Sequence, residues 1–163
     1  MIELQLVGVR VELPTNQPIV LLKEREGERY LPIWIGPVEA TAIALGMQGI
    51  ETHRPMTHDL MRDLLTGLGI TVDRIVITEL REGTFYAEIQ MSQNGNTVSV
   101  SSRPSDALAL AVRMELTIFA NEDVIEEASI AVKDDEEEDA EKAEKEVERF
   151  REFLEQVSPE DFK

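Results

Sequence analysis

The chain has no cysteine, which removes disulfides, thiolate metal sites and cysteine nucleophiles together. It also lacks any run approaching the roughly 18 apolar residues needed to cross a bilayer. Its first residues alternate as Ile2, Leu4, Leu6 and do not form a charged segment followed by an apolar block. A cytoplasmic protein without membrane attachment is the expectation. Glycine-rich phosphate loops, HExxH, GxSxG and zinc-finger spacings are missing as well. Positive charge is scarce, with 16 Lys and Arg against 33 Asp and Glu, for a net −17. Residues 1–131 carry nineteen acids and ten bases, a net −9, and residues 132–163 hold the other −8. A protein that grips nucleic acid by neutralising phosphates normally shows a basic face, and none is visible here. Any such function would need a local basic pocket or bound divalent cations.

What is present fits one domain of 163 residues that buries roughly two thirds of its unfolded surface. Ile2, Leu4 and Leu6 alternate, and then the frame shifts to Val7, Val9 and Val11, predicting a strand with a bulge near Leu6. Pro14 to Pro18 is a turn, and the runs Ile19–Leu22 and Tyr30–Ile35 flank Glu26-Gly27-Glu28 as a hairpin. Strands are expected again at Ile70–Thr78, Thr84–Met91 and Thr97–Ser101, separated by Arg81-Glu82-Gly83 and Asn94-Gly95. A short one should lie at Leu116–Ala120. Three short helices are expected: Pro37 to about Gln48, His58 to Leu68 with Thr57 as N-cap, and Pro104 to about Met114. Hairpins mixed with helices predict an α+β fold with a mixed, largely antiparallel sheet. The domain should span 1–131, followed by an acidic linker at 132–139. A helical tail at 140–163 would carry the heptad-like stripe Ala140, Ala143, Val147, Phe150, Leu154 and Val157. That stripe would pack on its own domain, on a second subunit or on another protein.

Two of the helices echo one another. Pro37, Glu39 and the alanines 40, 42 and 44 fall in step with Pro104, Asp106 and the alanines 107, 109 and 111. Each carboxylate lies two residues after a proline at the first helical position, where it can cap the preceding amide or act as a metal ligand or general base. A second cluster is Thr57 to Asp63. There Leu60, Met61, Leu64, Leu65 and Leu68 mark a buried face, Asp59 and Asp63 lie opposite, and His58 sits at the boundary. Asp59 and Asp63 could share a metal ion or form a solvated face. His58 could act as acid, base or ligand, or rest against a backbone carbonyl. Ser101 to Ser105 gathers hydroxyls, the Arg103 guanidinium and free helical amides, a cradle for phosphate through Ser102, Arg103 and Ser105. The competing reading is an internal ion pair between Arg103 and Asp106 or Glu39.

Four segments, Leu31 to Ala40, Pro55 to Leu60, Gly83 to Ala87 and Arg103 to Ala109, resemble successive motifs of the bifunctional nuclease domain family, in that family's order. The resemblance covers residues 2 to 131, and the ending from Phe153 to Phe162 is similar to that of actinobacterial members. It implies an α+β domain, often seen as an oligomer, that cleaves DNA and RNA. On that resemblance Glu39, His58, Asp59 and Asp106 are the candidate catalytic residues, with Glu39, Asp59 and Asp106 as candidate ligands of Mg²⁺ or Mn²⁺. Arg103 would steady the scissile phosphate of a nucleic-acid substrate, and a homodimer is favoured. The alternative is a non-catalytic, oligomeric module that binds an anion or small molecule or regulates a partner.

Overall fold

The computed structural model describes residues 1–131 and five helical positions beyond them, Lys145, Val147, Glu148, Arg149 and Glu152. The expected linker 132–139 lies outside the described residues. So does the tail stripe apart from Val147, which is helical and exposed.

The chain opens with β1 (Ile2–Glu12), β2 (Gln17–Glu24) and β3 (Arg29–Trp34), an antiparallel meander. The β1–β2 register slips between Leu6 and Gly8, where the alternation predicted a bulge. Two helices follow, α1 (Pro37–Met47) and α2 (Thr57–Gly67), and then a second meander of β4 (Thr71–Arg81), β5 (Thr84–Gln93) and β6 (Asn96–Ser102). Its two turns place Glu82-Gly83 and Asn94-Gly95 at positive φ, the backbone that a tight two-residue hairpin demands. The helix α3 (Pro104–Met114) leads to β7 (Thr117–Ala120), α4 (Glu122–Ala128) and β8 (Ile130–Ala131). The eight strands form one sheet in the order β6-β5-β4-β7-β1-β2-β3-β8. β7 joins the two meanders, running antiparallel to β1 and parallel to β4. The fold is therefore α+β with a mostly antiparallel sheet, as the pattern of hairpins and helices indicated.

The core is aliphatic. Leu22, Leu31, Ile75 and Ile77 from the strands meet Ile43, Leu108 and Leu110 from α1 and α3, all essentially inaccessible. Each such side chain contributes about 1.5–3 kcal/mol relative to exposure. α1 and α3 approach closely because Gly46 carries no side chain, and a Cβ there would run into Val112 and Arg113.

Three expectations need correction. The N-cap of α2 is Met56, not Thr57, because Asp59 turns back to accept the Met56 N–H at 3.0 Å. The buried face of α2 is not the leucine face: Leu60, Leu64 and Leu68 are exposed, while His58 is buried and Met61 and Leu65 pack on the core. His58 and Asp59 have partners on α3, and those polar contacts orient the helix. Finally, α4 and β8 add a fourth helix and an eighth strand. In seven residues α4 buries only Val124 and Ile125, too short a stripe for helical periodicity to register.

Candidate functional site

α1 and α3 begin at matched junctions. Gly36 and Arg103 are extended, the prolines that follow start the helices, and each helix bears a carboxylate at its third position. The two N-termini meet. Arg103 bridges them, its Nη2 donating to Glu39 Oε1 at 2.9 Å and its Nε to Asp106 Oδ2 at 2.9 Å. On its far side Asp106 Oδ1 lies 2.9 Å from His58 Nε2 of α2. An ionised carboxylate only accepts, so Nε2 carries the proton. Four of the five residues singled out in the sequence thus form one chain of contacts, Glu39–Arg103–Asp106–His58.

The fifth goes elsewhere. Asp59 accepts from Arg113 Nε at 2.8 Å and from the Met56 amide. Asp63 is exposed and pairs with neighbouring Arg62, so Asp59 and Asp63 do not form a joint site. Of the expected phosphate-binding serines, Ser102 donates its hydroxyl to the Arg103 carbonyl at 3.1 Å, and Ser105 is buried at the wall of a cleft.

Capping of their own helices was one reading of the Glu39 and Asp106 carboxylates, beside metal ligand and general base. Among the described residues neither accepts from the amide before its proline, and both take the Arg103 guanidinium instead. Glu39 still folds back over its junction, and its carboxylate fills the space that a Cβ on Gly36 would take. The positive ends of both helices favour these negative groups.

Burial pushes the Asp106 carboxyl up, but hydrogen bonds from His58 and Arg103 outweigh it and hold the group below the ordinary aspartate value. Asp59 is likewise held low: burial opposes, and the Met56 amide and Arg113 prevail. The Asp106 and Glu39 carboxylates raise the Arg103 pKa further, so its charge is permanent.

These side chains do not fit a shared divalent ion as they stand. Arg103 already fills the space between Glu39 and Asp106 with positive charge, and Asp59 is committed to Arg113. Among the described residues no group of three His, Asp or Glu side chains is placed to hold a metal.

Beside Arg103 lies a cleft of about 670 Å³ between the β1–β2 turn, the β4–β5 turn and the two helix starts. Trp34, Phe85, Pro37 and Pro104 contribute to its walls, and among the described residues Arg103 is the only charged one lining it. Trp34 and Phe85 lie within two of the motif segments but were not among the expected site residues. The signal was a lone tryptophan at a strand end directly before Ile35-Gly36-Pro37. Arg113, whose side chain is 5% exposed and holds Asp59, was not expected at a site either. A second cavity of about 760 Å³ contains Asp59, Arg62 and Arg113 but also Glu51 and Glu115. No described helix is long and apolar enough to cross a membrane.

The sequence model of the bifunctional nuclease domain matches residues 20–133. An uncharacterized protein of Mycobacterium tuberculosis is 50% identical over 99% of this chain and 98% of its own length. Bifunctional nuclease 1 of Oryza sativa subsp. japonica is 26% identical over 65% of this chain, and bifunctional nuclease 2 of Arabidopsis thaliana 28% identical over 67%. The chain spans 33% and 35% of the lengths of those two plant proteins.

Proposed function

The chain belongs to the bifunctional nuclease domain family, and from that premise we propose that it hydrolyses phosphodiester bonds of DNA or RNA at the Arg103 cluster. One observation carries the reading. Glu39, His58, Arg103 and Asp106 come from three helices and are joined in one hydrogen-bonded chain at the mouth of a cleft whose lining has no acid. Arg103 is 64% exposed, so its guanidinium can hold the non-bridging oxygens of a phosphate and stabilise the charge that builds up as water attacks phosphorus. Phosphate binding competes with Glu39 for the guanidinium. A Glu39 released in this way becomes the proton acceptor for the attacking water, while the bond to the leaving oxygen breaks and that oxygen takes a proton from solvent. Asp106, held low, is a poor acid; with His58 behind it, it positions Arg103. No step is assigned to a metal ion.

The test is cleavage of labelled single-stranded DNA and RNA by purified protein, with Mg²⁺ or Mn²⁺ and with excess chelator. Glu39→Gln and Arg103→Ala should each lower the rate by about 100-fold or more while the fold melts cooperatively. Full activity in both variants would sink the assignment, and loss of activity in chelator would restore the metal reading.

A second reading is a non-catalytic, anion-binding oligomeric module. The double neutralisation of Arg103 favours it, since two carboxylates already satisfy the guanidinium. Self-association fits either reading. Leu60, Leu64 and Leu68 are exposed on α2, and the edge strand β6 is exposed over nearly its whole length without a single charge to deter pairing. A homodimer through this region is the proposed assembly.

A further inference from the structure

The cleft beside Arg103 differs from its surroundings in charge and in chemistry. Residues 1–131 hold nineteen acids and ten bases, yet among the described residues the cleft is lined by no acid and a single cation. Glu39 and Asp106 touch that cation without joining the lining. Two other cavities near the helices each include carboxylates, Glu51, Asp59 and Glu115 in one and Glu3 and Glu115 in the other. The remaining lining supplies flat apolar surface and neutral hydrogen-bonding groups. Trp34, the only tryptophan in the chain, is 51% exposed here, and Phe85 is half-buried. Asn16, Gln17 and Thr84 offer amides and hydroxyls. An exposed tryptophan beside a half-buried phenylalanine and a cation offers a flat surface on which a planar ring can stack.

We propose that this cleft is a subsite for one unpaired nucleotide of a single strand, its base stacked on the Trp34–Phe85 wall and its phosphate on Arg103. The choice of a polymer rests on the phosphodiester reading above; the cleft and its chemistry do not. Its volume of about 670 Å³ lies in the range of about 300–1,000 Å³ typical of small-ligand pockets. Stacking tolerates any base because every base has a π face, while the neutral amides and hydroxyls can meet base edges. A duplex is excluded twice. Its bases are already stacked and paired, and its dense charge, about one per 1.7 Å of axis, meets the repulsion of a net −9 domain. A flexible single strand brings one phosphate to the one cation and keeps the rest away.

The test uses the full chain and a pentathymidylate with phosphorothioate linkages, which resist cleavage while binding is measured. Trp34 is the sole tryptophan, so its emission should be quenched in a saturable way by the pentamer. Anisotropy of a labelled pentamer should show affinity falling about tenfold for Trp34→Ala and staying within about threefold for Trp34→Phe, which keeps a stacking ring. A duplex of the same length and thymidine monophosphate should each bind at least about tenfold more weakly than the single strand. Equal affinity of wild type and Trp34→Ala, or of duplex and single strand, overturns the subsite. Thymidine monophosphate binding as tightly as the pentamer replaces the strand by a free nucleotide and overturns the proposal in that form. Hydrolysis of the ordinary phosphodiester pentamer is followed in parallel. Binding that shows the Trp34 dependence without hydrolysis supports the subsite and sinks the nuclease reading. Hydrolysis with binding indifferent to Trp34 does the reverse.

Discussion

At the scale of single residues the sequence came close to the site because its logic is local. Proline, one residue, then an acid at the start of an alanine-rich helix is a pattern that a junction imposes twice, and both acids reach the same Arg103 guanidinium in the fold. The partner was less legible. Arg103 and Glu39 lie 64 positions apart, and only the crossing of α1 and α3 brings them to 2.9 Å. For Asp59 the pattern misled, since a spacing of four to Asp63 says nothing about Arg113, 54 positions away. The depressed carboxyls give a prediction with a definite sign. Asp59 and Asp106 bind fewer protons when folded than when unfolded, both held below the ordinary value of 3.8. Their contribution to stability is complete above about pH 4 and is lost as pH falls through the lowered folded values. Thermal melts from pH 7 to pH 3 should drop steeply at the acid end, and Asp59→Asn and Asp106→Asn should flatten that drop. An unchanged slope in both variants would place the acid sensitivity elsewhere.

At the scale of elements, the seven expected strands were placed to within three residues at each end, because alternation and Glu82-Gly83 or Asn94-Gly95 are local instructions. The orientation of α2 was not, because its leucines and its polar partners compete for the same interior and the decision lies with α3. Two predictions belong here. Gly46→Ala should cost about 1–3 kcal/mol in urea or thermal unfolding, since the new Cβ meets Val112 and Arg113 where α1 crosses α3. A neutral effect would mean the crossing can open. Leu64→Glu with Leu68→Glu should leave stability within about 0.5 kcal/mol, because both side chains are exposed. If α2 carries the contact between copies, the same pair should lower the mass seen by light scattering, and an unchanged oligomer would move the interface away from this helix.

At the scale of the molecule, the fold class was legible and the link between its halves was not. β7 is four residues long, and nothing in Thr117–Ala120 announces that it lies between β1 and β4, more than a hundred and about forty positions upstream. The acidic surplus was legible as a number, but the gap in it at the Arg103 cleft appears only in three dimensions. Truncation after Ala131 should leave a domain that melts in a single cooperative step, since the described sheet, the helices α1 to α4 and the described core cluster all lie within residues 1–131. A truncated chain that melts broadly would show that residues 132–163 belong to the core. The late position of β7 bears on how the chain is made. Emerging N-terminus first, it carries two hairpin systems whose inner edges, β1 and β4, stay unpaired until residues 117–120 arrive to close them. Unpaired edges in nascent chains invite pairing between neighbours on the same ribosome cluster. Mutual repulsion among acidic chains opposes that encounter throughout synthesis, so the charge that restricts what the finished protein can bind also guards it while it is unfinished.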